Sequence, residues 1–287
     1  MPTMNLKLEN GYFYDHNIFE PSCSNVYSIT KILFHDKSKF FDIAILCNEK
    51  FGNILVLDGS VQLSEWDEFV YHEMITFLPT NSHLNPRDAL VLGGGDGGTL
   101  RELDRHPKVQ NVTLCELDEV SKKYLTKTSI GLESPKANII IIDAFEFLSK
   151  THRTYDVIIC DLNDPRGHSE KLYMPECIDL MDKHLKTDGI LCMQSECIWD
   201  SLDFIVKIIK TCKRYFATVK YATVSSPIYN FGQIGFLLCT NSKTININEP
   251  LFQMDPSKYG LRYYSPSIHR ACFILPPFVQ KTIDELT

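Results

Sequence analysis

The rhythm of polar and apolar positions in this chain changes near residue 65. Between Tyr12 and Leu63, short β-branched and aromatic runs ("VYSITKILF", "FFDIAILC", "NILVLDG") are separated by the polar breaks "HDKSK", "EKFGN" and "DGS". Runs of that length bounded by turn residues predict strands, here one antiparallel meander. The stretch "SEWDEFVYHEMITFLP" then sets Trp66, Phe69, Val70, Met74 and Phe77 near helical spacing, with Ser64 as the expected cap and Pro79 as the expected stop. From Ala89 onward apolar runs alternate with helical patterns: "ALVL", a helix from Thr99 to His106, "NVTLC", a helix after Asp118, "NIIII", a helix from Ala144, "YDVIIC", a helix from Pro175 to Leu185, and "GILCMQ". Strands that are apolar throughout and take turns with helices predict a parallel sheet covered on both faces. A helix from Ser201 to Phe216, a late strand "QIGFLLCT" and a Pro- and Tyr-rich tail with a short final helix complete the pattern. The expected fold is α/β: a doubly wound, mostly parallel sheet over residues 65–287, behind a small antiparallel β domain over residues 1–64.

Composition narrows the chemistry. The chain has 287 residues, 44% hydrophobic and 23% charged, which suits an ordinary globular protein. No run approaches the length of a membrane span and the first ten residues lack a basic start, so the cytosol is the expected compartment. A net charge of −7 argues against nucleic acid and is compatible with cationic small molecules. Cys115, Cys160, Cys192 and Cys239 sit within or beside apolar runs and read as buried thiols. No pair has C-x-x-C spacing and no Cys/His cluster resembles a zinc site, so no metal is expected.

Four apolar runs break on an acid: "LVLGGGDGG", "VTLCELD", "IIIID" and "VIICDLND" give Asp96, Glu116, Asp143 and Asp161. Each lies at or just beyond the C-terminal end of a predicted parallel strand, the edge where open α/β sheets bind ligands. Any one of them could simply cap the following helix. Four in succession beside a glycine loop point instead to a site. "GGGDGG" followed by Glu116 is the spacing of a dinucleotide fold, with the acid on a ribose diol. Asp96 inside that loop, however, would repel a pyrophosphate. An adenosyl ligand without phosphate and with a positive tail fits better, and Asp143 can accept from the adenine amino group. In "DLNDPRG", Asp161 and Asp164 are close enough for one to orient an ammonium while the other takes its proton; a turn before Pro165 is the bland alternative.

With "GNILVLDGSVQLSEWDEFVYHEM", "VLGGGDGGTLRE", "DVIICDLNDPRG", "DGILCMQSE", "GQIGFLLC" and "YYSPSIHRACFILP", the chain resembles the spermidine synthase, or aminopropyltransferase, family over nearly its full length. The resemblance implies a Rossmann-like catalytic domain and a homodimer formed largely through the N-terminal domain. It also implies transfer of an aminopropyl group from decarboxylated S-adenosylmethionine, a co-substrate, to putrescine, with no metal or further cofactor. On the family's pattern Asp161 is the proton acceptor and Asp164 helps hold the diamine. Glu116 would bind the ribose, Asp143 and Ala144 the adenine, and Asp96 the aminopropyl ammonium. Gln62 and Tyr71 would line the meeting point of the substrates, and His72 and Tyr229 would contact the acceptor. A donor retaining its carboxylate would set an anion beside Asp96, which favours the decarboxylated form.

The chain departs from that pattern at Phe41, where a glutamine is usual, and near Glu20, where a tryptophan walls the amine site. It departs again at Ile142-Asp143-Ala144, Leu162, Asn163, Gly167-His168-Ser169 and Gln194-Ser195-Glu196, and a helical turn is missing after Asp118. If Glu20 faces the amine tunnel, it is expected to alter acceptor choice. The rivals are an aminopropyltransferase with another acceptor, a putrescine N-methyltransferase, a non-catalytic regulatory paralogue and, weakest, a nicotinamide-dependent dehydrogenase.

Overall fold

The computed structural model describes residues 6, 8–17, 19–118, 129–165 and 167–286. Two antiparallel sheets come first. One joins β1 (Leu8–Glu9), β2 (Tyr12–His16) and β3 (Ser24–Ser28); the other joins β4 (Lys31–Lys37), β5 (Asp42–Asn48), β6 (Gly52–Leu57) and β7 (Ser60–Ser64) in chain order. The single meander expected from sequence is therefore two sheets, and "VYSITKILF" is divided between them. The handover lies at two consecutive amides: Ile29 N–H donates to Gly11 in the first sheet's turn (2.8 Å), and Thr30 N–H to Cys47 on β5 (2.9 Å).

The first helix, α1 (Glu68–Ser82), has Asp67 rather than Ser64 at its N-cap; the Ser64 hydroxyl instead donates to the Asp67 carboxylate at 2.6 Å. Pro79 does not stop it. Proline removes one donor, and the helix continues to Ser82 while the Thr80 and Ser82 hydroxyls donate back to the carbonyls of Thr76 and Leu78 (2.7 and 2.8 Å). All of α1 except Phe69 is buried, so even its polar residues face packed surroundings.

The central sheet is built from β8 (Asp88–Gly93), β9 (Asn111–Glu116), β10 (Ala137–Ile141), β11 (Tyr155–Asp161), β12 (Leu185–Gln194), β13 (Thr218–Ser225) and β14 (Gln233–Thr240), in the order β10-β9-β8-β11-β12-β14-β13. Strands β8 to β12 run parallel, and β14 pairs antiparallel with both β12 and β13. The helices α2 (Gly98–Arg105), α3 (Ala144–Lys150), α4 (Pro175–Lys183) and α5 (Leu202–Cys212) fall between these strands in sequence. The helix expected after Asp118 lies outside the described residues. Ile158, Ile159, Leu90 and Val91 are wholly buried, as expected of a sheet covered on both faces. Cys115, Cys160, Cys192 and Cys239 are buried, and all ten cysteines are free thiols. Strand β13 is not among the expected elements: it carries Lys220 and several half-exposed positions and so offers no apolar run. The tail holds three short helices rather than one, α6 (Pro256–Tyr259), α7 (Pro266–Ala271) and α8 (Pro277–Asp284), each with a proline in its first turn. Strand order reverses between β8 and β11, so the crevice of a doubly wound sheet opens at their C-terminal ends.

Candidate active site

One cleft occupies that crevice, roofed by the N-terminal sheets. Asp96, Glu116, Asp143 and Asp161 all line it, as do Gln62, Tyr71, His72, Ala144, Asp164 and Tyr229. The strand-end acids thus converge on one cleft, although Asp143 also caps the helix that follows it.

Asp161 ends β11 with its carboxylate already held. Tyr71, ninety positions earlier on α1, donates its hydroxyl to Oδ1 at 2.8 Å, and Thr99 in the first turn of α2 donates to Oδ2 at 2.6 Å. Burial and the nearby Asp96 push the Asp161 carboxyl above its usual range, while His72, Thr99 and Tyr71 pull the other way. A carboxylate so placed is a better proton acceptor than an exposed one.

The glycine loop serves this aspartate directly. Gly93 has φ +81°, and a side chain there would meet the Asp161 carbonyl oxygen at 2.1 Å; a Cβ on Gly94 would lie 2.9 Å from its Oδ2. Gly94 N–H donates to the Asp161 carbonyl at 2.9 Å. Two of the glycines are therefore needed for the close approach of β8 to β11 as well as for access by a ligand.

Asp96 accepts Gly98 N–H through Oδ1 at 2.6 Å, and the same oxygen lies 3.2 Å from His72 Nε2. Burial opposes its charge, but His72 and the Gly98 amide hold it below the usual carboxylate range. His72, Asp96 and Asp161 bring one ligand atom each within 4.8 Å of one another. Both imidazole nitrogens are, however, engaged by carboxylates, since Nδ1 lies 2.6 Å from Glu68. Neither ring nitrogen is therefore turned toward a free position where a metal could sit.

Glu116 ends β9 and accepts the Asp118 amide at 2.9 Å. Burial, with Asp118 and Asp96 nearby, nevertheless raises its carboxyl to about 7. Asp143 caps α3 by accepting Glu146 N–H at 3.1 Å, and its second oxygen is paired with the Lys171 ammonium. The Tyr229 hydroxyl donates to the Gln62 carbonyl at 2.9 Å, and its ring meets Tyr71 edge-on at 6.1 Å, tying the N-terminal sheets to the sheet edge.

The departures from the family pattern divide in two. Phe41, Leu162, Asn163, His168, Ser169 and Glu196 line the cleft. Glu20 does not: it is exposed and accepts from the Ser22 hydroxyl at 2.5 Å, while its neighbour Phe19 takes the cleft wall and packs on Phe204 at 6.2 Å. The expected role of Glu20 in a tunnel is therefore wrong, because the turn at Asn17 to Cys23 points that side chain outward.

Sequence reasoning missed Asp15, Lys171 and Asp200, which also line the cleft. Asp200 lies six residues beyond the end of β12, so extending the strand-end argument to that strand would have suggested it. Asp15 sits within a β2 pattern that carries no such signal.

The domain described as the spermine/spermidine synthase domain matches residues 68–249, and that described as the spermidine synthase tetramerisation domain matches residues 12–65. The chain belongs to the spermine/spermidine synthase family. Similar family members include a spermidine synthase of Schizosaccharomyces pombe, 38% identical and covering 98% of this chain and 96% of its own. A spermidine synthase of Dictyostelium discoideum is 39% identical (97% and 99% covered), and a spermine synthase of Saccharomyces cerevisiae is 36% identical (97% of each). Among solved structures, a spermidine synthase in complex with the transition state analogue AdoDATO superposes with a TM-score of 0.88 at 29% identity, covering 98% of both chains. The family's fold is thus present throughout, including the small N-terminal sheets and the seven-stranded central sheet.

Proposed function

We infer that this chain is a spermidine synthase, an aminopropyltransferase that moves the aminopropyl group of decarboxylated S-adenosylmethionine to putrescine. The observation that carries the reading is the Asp161 carboxylate, clamped by Tyr71 and Thr99 beside Asp96 in an acid-lined cleft at the strand-order reversal. An aliphatic ammonium titrates near about 10 and is a nucleophile only after losing a proton. Asp161 takes that proton, and the freed nitrogen attacks the carbon next to the sulfonium. The new C–N bond forms as the C–S bond breaks, its electron pair returning to sulfur to leave the neutral thioether methylthioadenosine. Charge is removed from sulfur, so no covalent enzyme intermediate is needed, and positioning with one competent base supplies the rate.

In the same reading Glu116 receives the ribose hydroxyls, Asp143 and Ala144 face the adenine, and Asp96 receives the aminopropyl ammonium. Asp164, Gln62, Tyr71, His72 and Tyr229 shape the space between donor and acceptor. No cofactor is called for beyond the co-substrate. The N-terminal region to residue 64 acts as an assembly module: Val26, Ile32 and Leu33 are exposed there, and a homodimer would cover them. No described helix is long and apolar enough to cross a membrane; the cytosol is the compartment proposed.

Spermidine as the acceptor is a second reading. Spermine synthases are among the relatives, and the cleft is also lined by Asp15, Glu196 and Asp200, further acids that would suit a longer polyamine. Incubation with decarboxylated donor and putrescine, cadaverine or spermidine in parallel, read by product mass, tests both. Spermidine plus methylthioadenosine is the expected outcome. Methylated putrescine, or binding without turnover, would overturn it.

A further inference from the structure

Behind the cleft a row of alternating charges runs through buried space. Asp96 faces His72 Nε2 at 3.2 Å, and His72 Nδ1 faces Glu68 Oε2 at 2.6 Å. Arg101 grips Glu68 with two parallel bonds, Nη1 to Oε1 at 3.0 Å and Nη2 to Oε2 at 2.8 Å. Arg101 Nε then meets Glu102 at 2.7 Å, and Arg105 closes the row on Glu102 at 3.0 Å. His72, Glu68 and Glu102 are all but fully buried, and Arg105 reaches solvent.

A buried histidine ordinarily stays neutral. Neutral imidazole carries one N–H, and so could donate to only one of the two carboxylates that bracket this ring. The arrangement is satisfied only when both nitrogens bear protons. The ring also has little freedom to turn away. A Cβ on Gly98 would stand 2.3 to 2.4 Å from its atoms, so the backbone at the start of α2 is pressed against the ring, and Tyr71 lies edge-on to it at 5.4 Å. The titratable and charged groups around His72 are Glu68 and Tyr71 on α1, Asp96 and Arg101 from the loop and α2, and Asp161 at the end of β11, with Glu116 beyond Asp96.

We propose that Glu68, braced by Arg101, is a positioning residue: it fixes His72 as a doubly protonated ring, which in turn keeps Asp96 ionised and oriented beside Asp161. Glu68 touches no part of either substrate in this scheme. The inference rests on the aminopropyl-transfer reading for its consequence, since Asp96 and Asp161 are the carboxylates that meet the two amines. Burial alone would raise the Glu68 carboxyl, yet His72 and Arg101 bring it down to about 2, so its charge is present at any working pH. With glutamine in its place His72 would keep one hydrogen bond and lose the charge that retains its second proton. As pH rose the ring would become neutral and turn a lone pair toward Asp96.

The test is carried out on the full chain with 15N-labelled histidine. In the wild type both ring nitrogens of His72, assigned by loss of the signal in His72→Gln, should remain protonated from about pH 6 to about pH 8.5. In Glu68→Gln they should titrate within that range, and activity relative to wild type should fall about tenfold as pH rises across it. Glu68→Asp should restore a flat profile even at reduced rate, and Arg101→Gln should retain the doubly protonated ring. A neutral His72 in the wild type at pH 7 overturns the proposal, as do parallel pH profiles for wild type and Glu68→Gln. Should Glu68→Gln fail to fold, the wild-type nitrogen signals decide alone. A wild-type protein that gives no aminopropyl transfer would count against the function and leave the ring's protonation readable.

Discussion

Tyr71 and Asp161 are joined by a 2.8 Å hydrogen bond between the almost wholly buried helix α1 and the end of a central strand. The bond stabilises the ionised carboxylate, and Thr99 supplies the second donor. Tyr71→Phe should leave Asp161 with one donor, raise its pKa further, and move the acid limb of kcat to higher pH. A neutral-to-charged hydrogen bond of about 1.5 kcal/mol corresponds to a shift of roughly one pH unit, and so to roughly a tenfold loss on the acid side of that limb. Asp161→Asn should cost about 10² to 10⁴ in kcat at every pH. Steady-state rates from about pH 5.5 to about pH 9 check both; an unshifted limb in Tyr71→Phe would mean the hydroxyl does not tune the base.

The Glu116 carboxyl is lifted into the physiological pH range. Burial, with Asp118 and Asp96 adding to it, lifts its carboxyl from 4.5 to about 7 in the folded chain. The folded state therefore binds a proton that the unfolded chain has released, so the stability this proton contributes is present below pH 4.5 and is lost as pH rises to about 7. Ionising the buried group costs on the order of 3 kcal/mol. Glu116→Gln should raise the melting temperature of the unliganded protein at about pH 8 and change it little at about pH 4.5. A ribose diol donates to the ionised form, so methylthioadenosine binding should release a proton near about pH 6.5, seen as a buffer-dependent heat in calorimetry. Binding heats independent of buffer would remove Glu116 from the ribose site.

On the proposed reading, Lys171 stands beside Asp143 at the adenine end of the cleft. Burial opposes ionisation of Asp143, but the lysine and the Glu146 amide hold its carboxyl below the usual range. An acceptor and a donor side by side match the amino group and the adjacent ring nitrogen of adenine. Lys171→Ala should raise KM for the nucleoside donor by about fivefold, the worth of roughly 1 kcal/mol, with kcat within about twofold. Tighter donor binding in the variant would show that the lysine blocks the adenine edge.

Strands β8, β9, β10 and β11 were legible because each carries an apolar run with an acid at or just beyond its C-terminal end; Asp96, Glu116, Asp143 and Asp161 share one cleft for that reason. Local pattern failed where two choices are equivalent to it. "VYSITKILF" reads as one strand because nothing in it shows that the amides of Ile29 and Thr30 bond to different sheets. Pro79 reads as a stop because sequence does not reveal the tertiary packing that carries α1 past it. The pairing of His72 with both Glu68 and Asp96 is half visible: the first is a one-turn spacing on a helix, whereas the second needs the loop after β8 folded back onto α1.

On the proposed reading, one residue of register decides which side chain walls the acceptor. Glu20 and Phe19 are neighbours, yet the turn after Asn17 sends the carboxylate to solvent and the ring into the cleft. Substituting Glu20 by Ala or Trp should therefore leave the ranking of putrescine, cadaverine and spermidine unchanged. Phe19→Ala removes apolar surface from the wall, and loss of roughly 1 to 2 kcal/mol of contact should raise KM for the preferred amine about five- to thirtyfold. The gap it opens should penalise the shortest amine most, because a longer chain still spans the widened space. Parallel KM series for the two variants decide the matter: a changed ranking in Glu20→Ala with an unchanged one in Phe19→Ala would reverse the assignment of the wall.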